Sequence, residues 1–297
     1  MQWFSDFNKT LQPSIREFRM SFYLLNRNRL QRLSLIVIVL LALVAVFAPF
    51  IAPYPGHAIS DTNPDDKLQP PSTKYWFGTD ELGRDMLSRV IYGTRISLQT
   101  ALIAVGMALL IGVPLGAIAG GLGGVMDEII MRITDVFLSF PPLLLAIAIS
   151  AFMGPNLRNA MLAIIVSWWP WYTRIIRGQA VSIRERQFVR AARAIGTPKM
   201  KIIFKHILPN TFAPVIVQAS MDIGGVILTI AALSFLGLGA QPPTPEWGLL
   251  ISTSRTYFLN AWWYSTFPGL AIVITVLVFN LIGDGMREVL DPKTRKF

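Results

Sequence analysis

Six stretches of this chain are apolar for about the number of residues that crosses a bilayer, and polar or charged residues bound each one. They are Leu33–Ala52, Ile96–Gly120, Ile129–Phe152, Ala160–Ile176, Phe212–Leu236 and Thr266–Gly285. A run such as "LSLIVIVLLALVAVFAPFIA", from Leu33, has no polar face of the kind a soluble helix shows. The pattern predicts an all-α integral membrane protein with about six transmembrane helices. The first run is longer than a signal-peptide core and begins more than 30 residues in, so it reads as a retained anchor. Between the first two runs, the proline-rich, mixed-charge residues 54–95 predict an external loop ending in a surface helix, Leu82–Tyr92. The chain then divides into a tail over 1–32, a first span over 33–53, this loop, a core over 96–285 and a second tail over 286–297. Within the core, residues 177–210 form a long polar loop.

Composition agrees: 53% of residues are hydrophobic and only 15% charged, against about 25% charged in soluble domains. The net charge of +10 does not require nucleic acid, because it follows the membrane topology. With both termini in the cytoplasm, twenty of the 27 Lys and Arg fall inside and seven outside. That is a clear positive-inside bias, and it puts the loop over 177–210 in the cytoplasm.

That loop contains "RAARAIGTPKMKIIFKHILPN", residues 190–210. Phe188, Ala191, Ala192 and Ile195 fall at i, i+3, i+4 and i+7, one face of a helix. Gly196 stands where a left-handed helix stop belongs. Thr197 is a candidate N-cap and Pro198 suits the first position of a second helix, continuing to Pro209. Two short helices joined by a tight turn, with small residues on one face, fit either a docking element or a solvated connector. A DNA-reading helix–turn–helix is disfavoured, because membrane spans flank the loop on both sides.

Other candidate chemistry is sparse. Cys is absent, and His57 and His206 are the only histidines, so thiol chemistry and a histidine-rich metal cluster are not expected. "GVPLGAIAGGLGG", Gly112–Gly124, lacks the Gly-Lys-Ser/Thr ending of a phosphate loop and reads as close helix packing. "GTDELGRD", Gly78–Asp85, lacks the alternating donors of a calcium loop. Asp135 and Asp222 lie in or near spans and are candidates for a proton or substrate role; Asp284, in "GDG", reads as part of a helix ending. "FPPLL", Phe140–Leu144, is a packing kink or a hinge. Trp247, Tyr257, Trp262, Trp263 and Tyr264 are expected to form an interfacial belt or a contact for an external protein.

"AARAIG" and the following "HILPN" resemble the cytoplasmic signature of ABC importer permeases. That pattern is Glu-Ala-Ala, three residues, Gly, nine residues, Ile, one residue, Leu-Pro. The chain matches it at Ala191, Ala192, Gly196, Leu208 and Pro209 and departs at Arg190 and His206; the basic His206 is similar to the peptide-transporter subgroup. "FGTDELGRDMLSRVIYGTRISL", "LSFLGLGAQPPTPEWG" and "GDGMREVLDPKTRKF" resemble the C-type permease of dipeptide, oligopeptide and nickel importers. Ile230 departs from that family, where Glu is expected.

The resemblance implies a type I importer permease fold in the inner membrane of a bacterium or archaeon. It also implies a sister permease forming a heterodimer, two cytoplasmic ATPase subunits that bind ATP and Mg, and an external substrate-binding protein. The chain itself would be non-catalytic and hold no cofactor. Phe188, Ala191, Ala192, Gly196, Leu208 and Pro209 would couple it to the ATPases: the first three as the docking face, Gly196 as the turn, Leu208 as packing at the hinge to the fifth span. Short peptides are the expected cargo, with oligosaccharides or nickel chelates as alternatives and a stand-alone proton-coupled carrier as a remote one.

Overall fold

Residues 28–290 are described in the computed structural model; the tail before them, and residues 291–297 of the second tail, lie outside that range. Over the described residues the chain is helical, with one isolated β-bridge between Thr79 and Asp85. Helix α1, Arg29–Ile51, starts at Asn28, whose side chain accepts from the Leu30 amide at 3.0 Å. Its Ile36, Val39, Leu43 and Phe47 are exposed, as suits a helix facing lipid. Only one edge, including Ser34 and Ala48, is buried.

A folded cap follows, containing the short helix α2, Pro55–Ile59, and leads into α3, Met86–Leu122. The surface helix expected over Leu82–Tyr92 begins later, at Met86, and runs without a break into the second span. Gly83 turns the chain with φ +73°, and Asp85 caps α3 by accepting from the amide and hydroxyl of Ser88 at 2.8 and 2.6 Å. One 37-residue helix therefore covers both the expected surface segment and the second span. At 1.5 Å per residue it measures about 55 Å, longer than the ~30 Å hydrocarbon layer, so its first turns stand in the cap.

The cap is held by a buried charge cluster. Asp80, fully buried, accepts from the backbone amides of Leu82 and Arg84, both at 2.9 Å, and from Arg84 Nε at 2.6 Å. Arg89 Nε lies 3.5 Å from the same carboxylate. Asp80→Asn would leave the buried Arg89 guanidinium without its carboxylate and Arg84 with only Glu81, 3.6 Å away. We expect it to cost about 3 kcal/mol, the low end for breaking a buried ion pair from one side, read as a lower unfolding midpoint of the detergent-solubilised chain.

The third apolar run is two helices, α4, Gly124–Leu138, and α5, Pro142–Met153, bent by 82°. Pro141 and Pro142 cause the break, since neither has an amide to donate and Pro141 steers Phe140 away from helical angles. Helix α6, Leu157–Arg184, runs two turns beyond the expected Ile176. Among the described residues, four helices are long and apolar enough to cross a membrane, or five if the bent pair counts as one. Although "WWPWY" and its arginines make α6 less apolar, it packs along α3 and its inner face, including Ile164, Tyr172 and Ile176, is buried.

Glycines set the closeness of the α3–α6 seam. Gly112, Gly116 and Gly120 recur every four residues, and a Cβ on them would stand 2.5, 2.5 and 2.6 Å from the carbonyl oxygens of Trp169, Thr173 and Arg177. The Thr173 hydroxyl donates across the seam to the Gly112 carbonyl at 3.2 Å. This is the small-residue packing expected of "GVPLGAIAGGLGG".

The cytoplasmic loop contains α7, Gln187–Ala194, and α8, Lys199–Ile202, and leads into α9, Phe212–Phe235. An outer hairpin holds α10, Trp247–Ser254, and the last helix is α11, Trp262–Leu290. The "GDG" segment lies inside α11 rather than ending it; Gly285 gives room there for the Gln31 side chain of α1. The expected aromatic belt is mostly core. Trp247, Trp263 and Tyr264 are buried, and their polar atoms are satisfied internally: Trp247 Nε1 donates to the Val90 carbonyl and Trp263 Nε1 to the Thr79 carbonyl, both at 3.1 Å. The Tyr264 hydroxyl donates to Glu81. Only Trp262 remains largely exposed. Ile230 is wholly buried in the same core.

Candidate functional site

The cytoplasmic loop begins where α6 gives out at Arg184. Glu185 pairs with Arg184 at 3.3 Å and with Arg190 at 3.4 Å. The Arg184 hydrogen bond, with Arg190 adding to it, holds this carboxyl below the usual carboxylate range. Arg190, which stands where the importer motif has Glu, thus finds its counter-charge five residues upstream. Both groups are exposed, so the pair orients the loop more than it stabilises it.

Helix α7 divides its small and apolar residues between two faces. Val189 and Ala192 point inward, at 0% and 7% exposure, while Phe188, Ala191 and Ile195 are exposed. Ala192 is therefore not on the face expected from the sequence: it belongs to the buried cluster that includes Ile183, Ile202 and Ile203. Periodicity could not separate the two faces, because Val189–Ala192 and Phe188–Ala191–Ile195 both fit a helix, and the choice between them depends on what lies beneath.

The turn after α7 matches expectation closely. The Thr197 amide donates to the Ala192 carbonyl at 3.1 Å and the Gly196 amide to the Arg193 carbonyl at 3.0 Å. These are the two bonds of a Schellman stop. Gly196 has φ +78°, which costs a residue with a Cβ about 1–2 kcal/mol. Gly196→Ala should loosen the turn by that amount, seen as faster limited proteolysis between residues 193 and 199 with the spans intact.

The second helix starts one residue later than expected, with Pro198 rather than Thr197 at the cap and no side-chain capping bond. It is also shorter. After Ile202 the backbone widens into a π-turn over Ile203–Ile207, then tightens into a 3-10 turn over Leu208–Thr211. Pro209 accounts for this: without an amide, and with its ring against the preceding turn, it cannot continue an α-helix. Pro209 is exposed and Leu208 half-buried.

Beneath the loop, Val189, Ala192, Ile202, Ile203 and Ile207 form one buried cluster with Val113 and Ala117 of α3, Ile176, Ala180 and Ile183 of α6, and Val215 of α9. The loop is thus wedged against the cytoplasmic ends of three long helices. Close packing of this kind transmits displacement, because an interior at crystal-like density has little slack. Phe188, Ala191 and Ile195 are left outward.

Two interhelix ion pairs are invisible in the local sequence. Arg177 binds the Asp127 carboxylate through Nε and Nη2 at 3.1 and 2.8 Å, and Arg174 pairs with Asp135. They tie α4 to α6, and pairs 39 and 50 residues apart leave no local signal. Asp135 is thereby a partner in an exposed ion pair. Asp222 accepts from Gln218 Nε2 at 2.9 Å, and its other oxygen is buried without a hydrogen bond, as is the Tyr172 hydroxyl. Asp284 is exposed on α11.

Comparison with known proteins gives this arrangement its context. Residues 112–296 match the family "binding-protein-dependent transport system inner membrane component", and residues 18–71 match the N-terminal TM domain of oligopeptide transport permease C. The chain is 47% identical to the dipeptide transport system permease protein DppC of Alkalihalophilus pseudofirmus, over 95% of this chain and 92% of that one. It is 48% identical to a probable D,D-dipeptide transport system permease protein, DdpC, of Escherichia coli K12, over 88% and 86%. It is 43% identical to the glutathione transport system permease protein GsiD of Escherichia coli O6:K15:H31, over 91% and 88%. The inward-facing MetNI methionine ABC transporter has the same fold, with a TM-score of 0.56 at 21% identity over 69% of this chain and 97% of that one. The chain belongs to the binding-protein-dependent transport system inner membrane components, as a C-type permease of the ABC importers.

Proposed function

We propose that the chain forms half of a membrane pathway that imports short peptides, with a non-identical sister permease forming the other half. An external binding protein delivers the peptide, and two cytoplasmic ATPase subunits, which bind ATP and Mg, drive the cycle. The chain itself is non-catalytic. Its surroundings are the inner membrane of a bacterium or archaeon.

One observation carries this reading: the cytoplasmic loop is anchored inward by Val189, Ala192 and Ile202 yet leaves Phe188, Ala191 and Ile195 uncovered. A solvated connector has no need for an exposed phenylalanine and isoleucine beside a fixed turn, whereas a docking element needs both. Gly196 sets the turn, and Leu208 and Pro209 lie where the loop joins α9. Closure of the ATPases would push on this face, and the wedge would pass the displacement to α3, α6 and α9. The peptide assignment rests on the relatives, whose names specify dipeptides and glutathione.

The test is uptake into proteoliposomes holding the complete complex and its binding protein. A labelled dipeptide should accumulate only with ATP inside, and excess unlabelled dipeptide should compete where an oligosaccharide or a nickel chelate does not. Competition by either of those instead would reassign the cargo. Uptake that follows a proton gradient without ATP would remove the importer reading altogether.

A further inference from the structure

A basic cavity of about 520 Å³ lies between the coupling loop and the membrane helices. Its polar lining is Arg184, Glu185, Arg193, Thr197 and Lys199, and one wall is the apolar end of α3 at Leu122. Three cations therefore face one carboxylate. That carboxylate is already engaged by Arg184 and Arg190. Arg184 is held further by donating Nη1 to the Gly120 carbonyl at 3.2 Å, at the negative end of the α3 dipole. Arg193 and Lys199 have no ion-pair partner among the described residues. Their backbone is nevertheless fixed, since they flank the Schellman turn at Gly196.

Depth narrows the ligand. The cavity opens where the apolar run of α3 stops, at Leu122, which is where a bilayer gives way to its headgroups. Basic pockets between helices on the cytoplasmic side suit anionic lipid headgroups. The volume equals that of roughly seventeen waters at ~30 Å³ each, more than a lone ion needs. We propose that this cavity binds a phosphate group at the cytoplasmic membrane surface, supplied by the headgroup of an anionic phospholipid. Arg193 and Lys199 hold the phosphate oxygens, Thr197 offers a hydroxyl, and Glu185 limits the affinity. An occupied cavity would brace the inner side of the loop whose outer side is left for docking.

The experiment uses the full-length chain, purified with its copurifying subunits into nanodiscs of phosphatidylcholine with rising fractions of phosphatidylglycerol. Retained phosphatidylglycerol is counted by native mass spectrometry. The wild type should hold one more molecule per chain than the R193Q/K199Q variant, which should need roughly thirtyfold more lipid for equal occupancy, at the usual contribution of each cation near a membrane. K201Q/K205Q removes the same charge from the loop outside the cavity and should leave the count unchanged. E185Q should tighten binding about fivefold, an opposite sign that misfolding would not produce. If inorganic phosphate displaces the lipid, the phosphate site stands and its ligand is a soluble phosphate. Equal lipid counts in all four proteins would overturn the proposal. So would loss of the ATPase subunits from R193Q/K199Q at an unchanged lipid count, which would assign the cavity to an acidic side chain of a docked subunit. Neither result would touch the importer reading, which rests on the outer face of α7.

Discussion

Ala191→Arg should leave the chain folded in the membrane and abolish ATP hydrolysis stimulated by the loaded binding protein. Ala191 lies on the outward face of α7 between Phe188 and Ile195, so a long cationic side chain there meets the docking partner and nothing within the chain. Forcing an unpaired charge into a buried interface costs several kcal/mol, and about 2.7 kcal/mol already weakens docking a hundredfold. Ala192→Arg, one residue on, should behave differently. Ala192 is buried in the cluster that includes Ile183, Ile202 and Ile203, so arginine there would push the loop off its seat and lower stability as well as hydrolysis. Comparing unfolding midpoints with hydrolysis separates the two: A191R should lose only activity, A192R both. If A191R hydrolyses ATP normally, the outward face is not the docking surface.

Gly116→Leu should prevent recovery of folded protein. At Gly116 the obstacle is the Thr173 carbonyl, with Ile176 Cβ and the Arg177 amide close behind. Backbone atoms cannot rotate away as a flexible side chain can, so α3 and α6 would have to separate. Overpacking of even an adaptable core costs about 1–3 kcal/mol; here the flanking contacts at Gly112 and Gly120 would open too, and the wedge beneath the coupling loop shares the same two helices. Gly225→Leu is the control, because nothing lies within 4 Å of its missing Cβ. Size-exclusion profiles in detergent should show aggregate for G116L and a normal peak for G225L. A normal peak for both would mean that the seam is looser than these contacts require.

What could be read in the sequence follows the range of the forces involved. The apolar runs, the stop at Gly196 and the glycine repeat from Gly112 depend on the residues themselves, and each recurs in the fold. The limits of α3 and α6 depend on context. The helix expected from Leu82 starts only after the left-handed Gly83, where Asp85 caps it, and α6 runs on past Ile176 with Asp127 and Asp135 beside Arg177 and Arg174. Trp247, Trp263 and Tyr264 resembled a membrane belt because their polar partners, the Val90 and Thr79 carbonyls and Glu81, lie more than 150 residues away in sequence. "FPPLL" announced a break, but the 82° of the bend belongs to the packing around it. The motif at Ala191, Ala192, Gly196, Leu208 and Pro209 is legible in the sequence; which of its residues face outward is not.

The most direct test of the central claim is to purify the tagged full-length chain from its native host in mild detergent and identify every protein it retains. A second, non-identical permease should be recovered, with ATP-hydrolysing subunits that dissociate when Ala191 is replaced by arginine. Recovery of the chain alone, in a form that moves substrate without ATP, would contradict that claim and leave the wedged loop as no more than a connector.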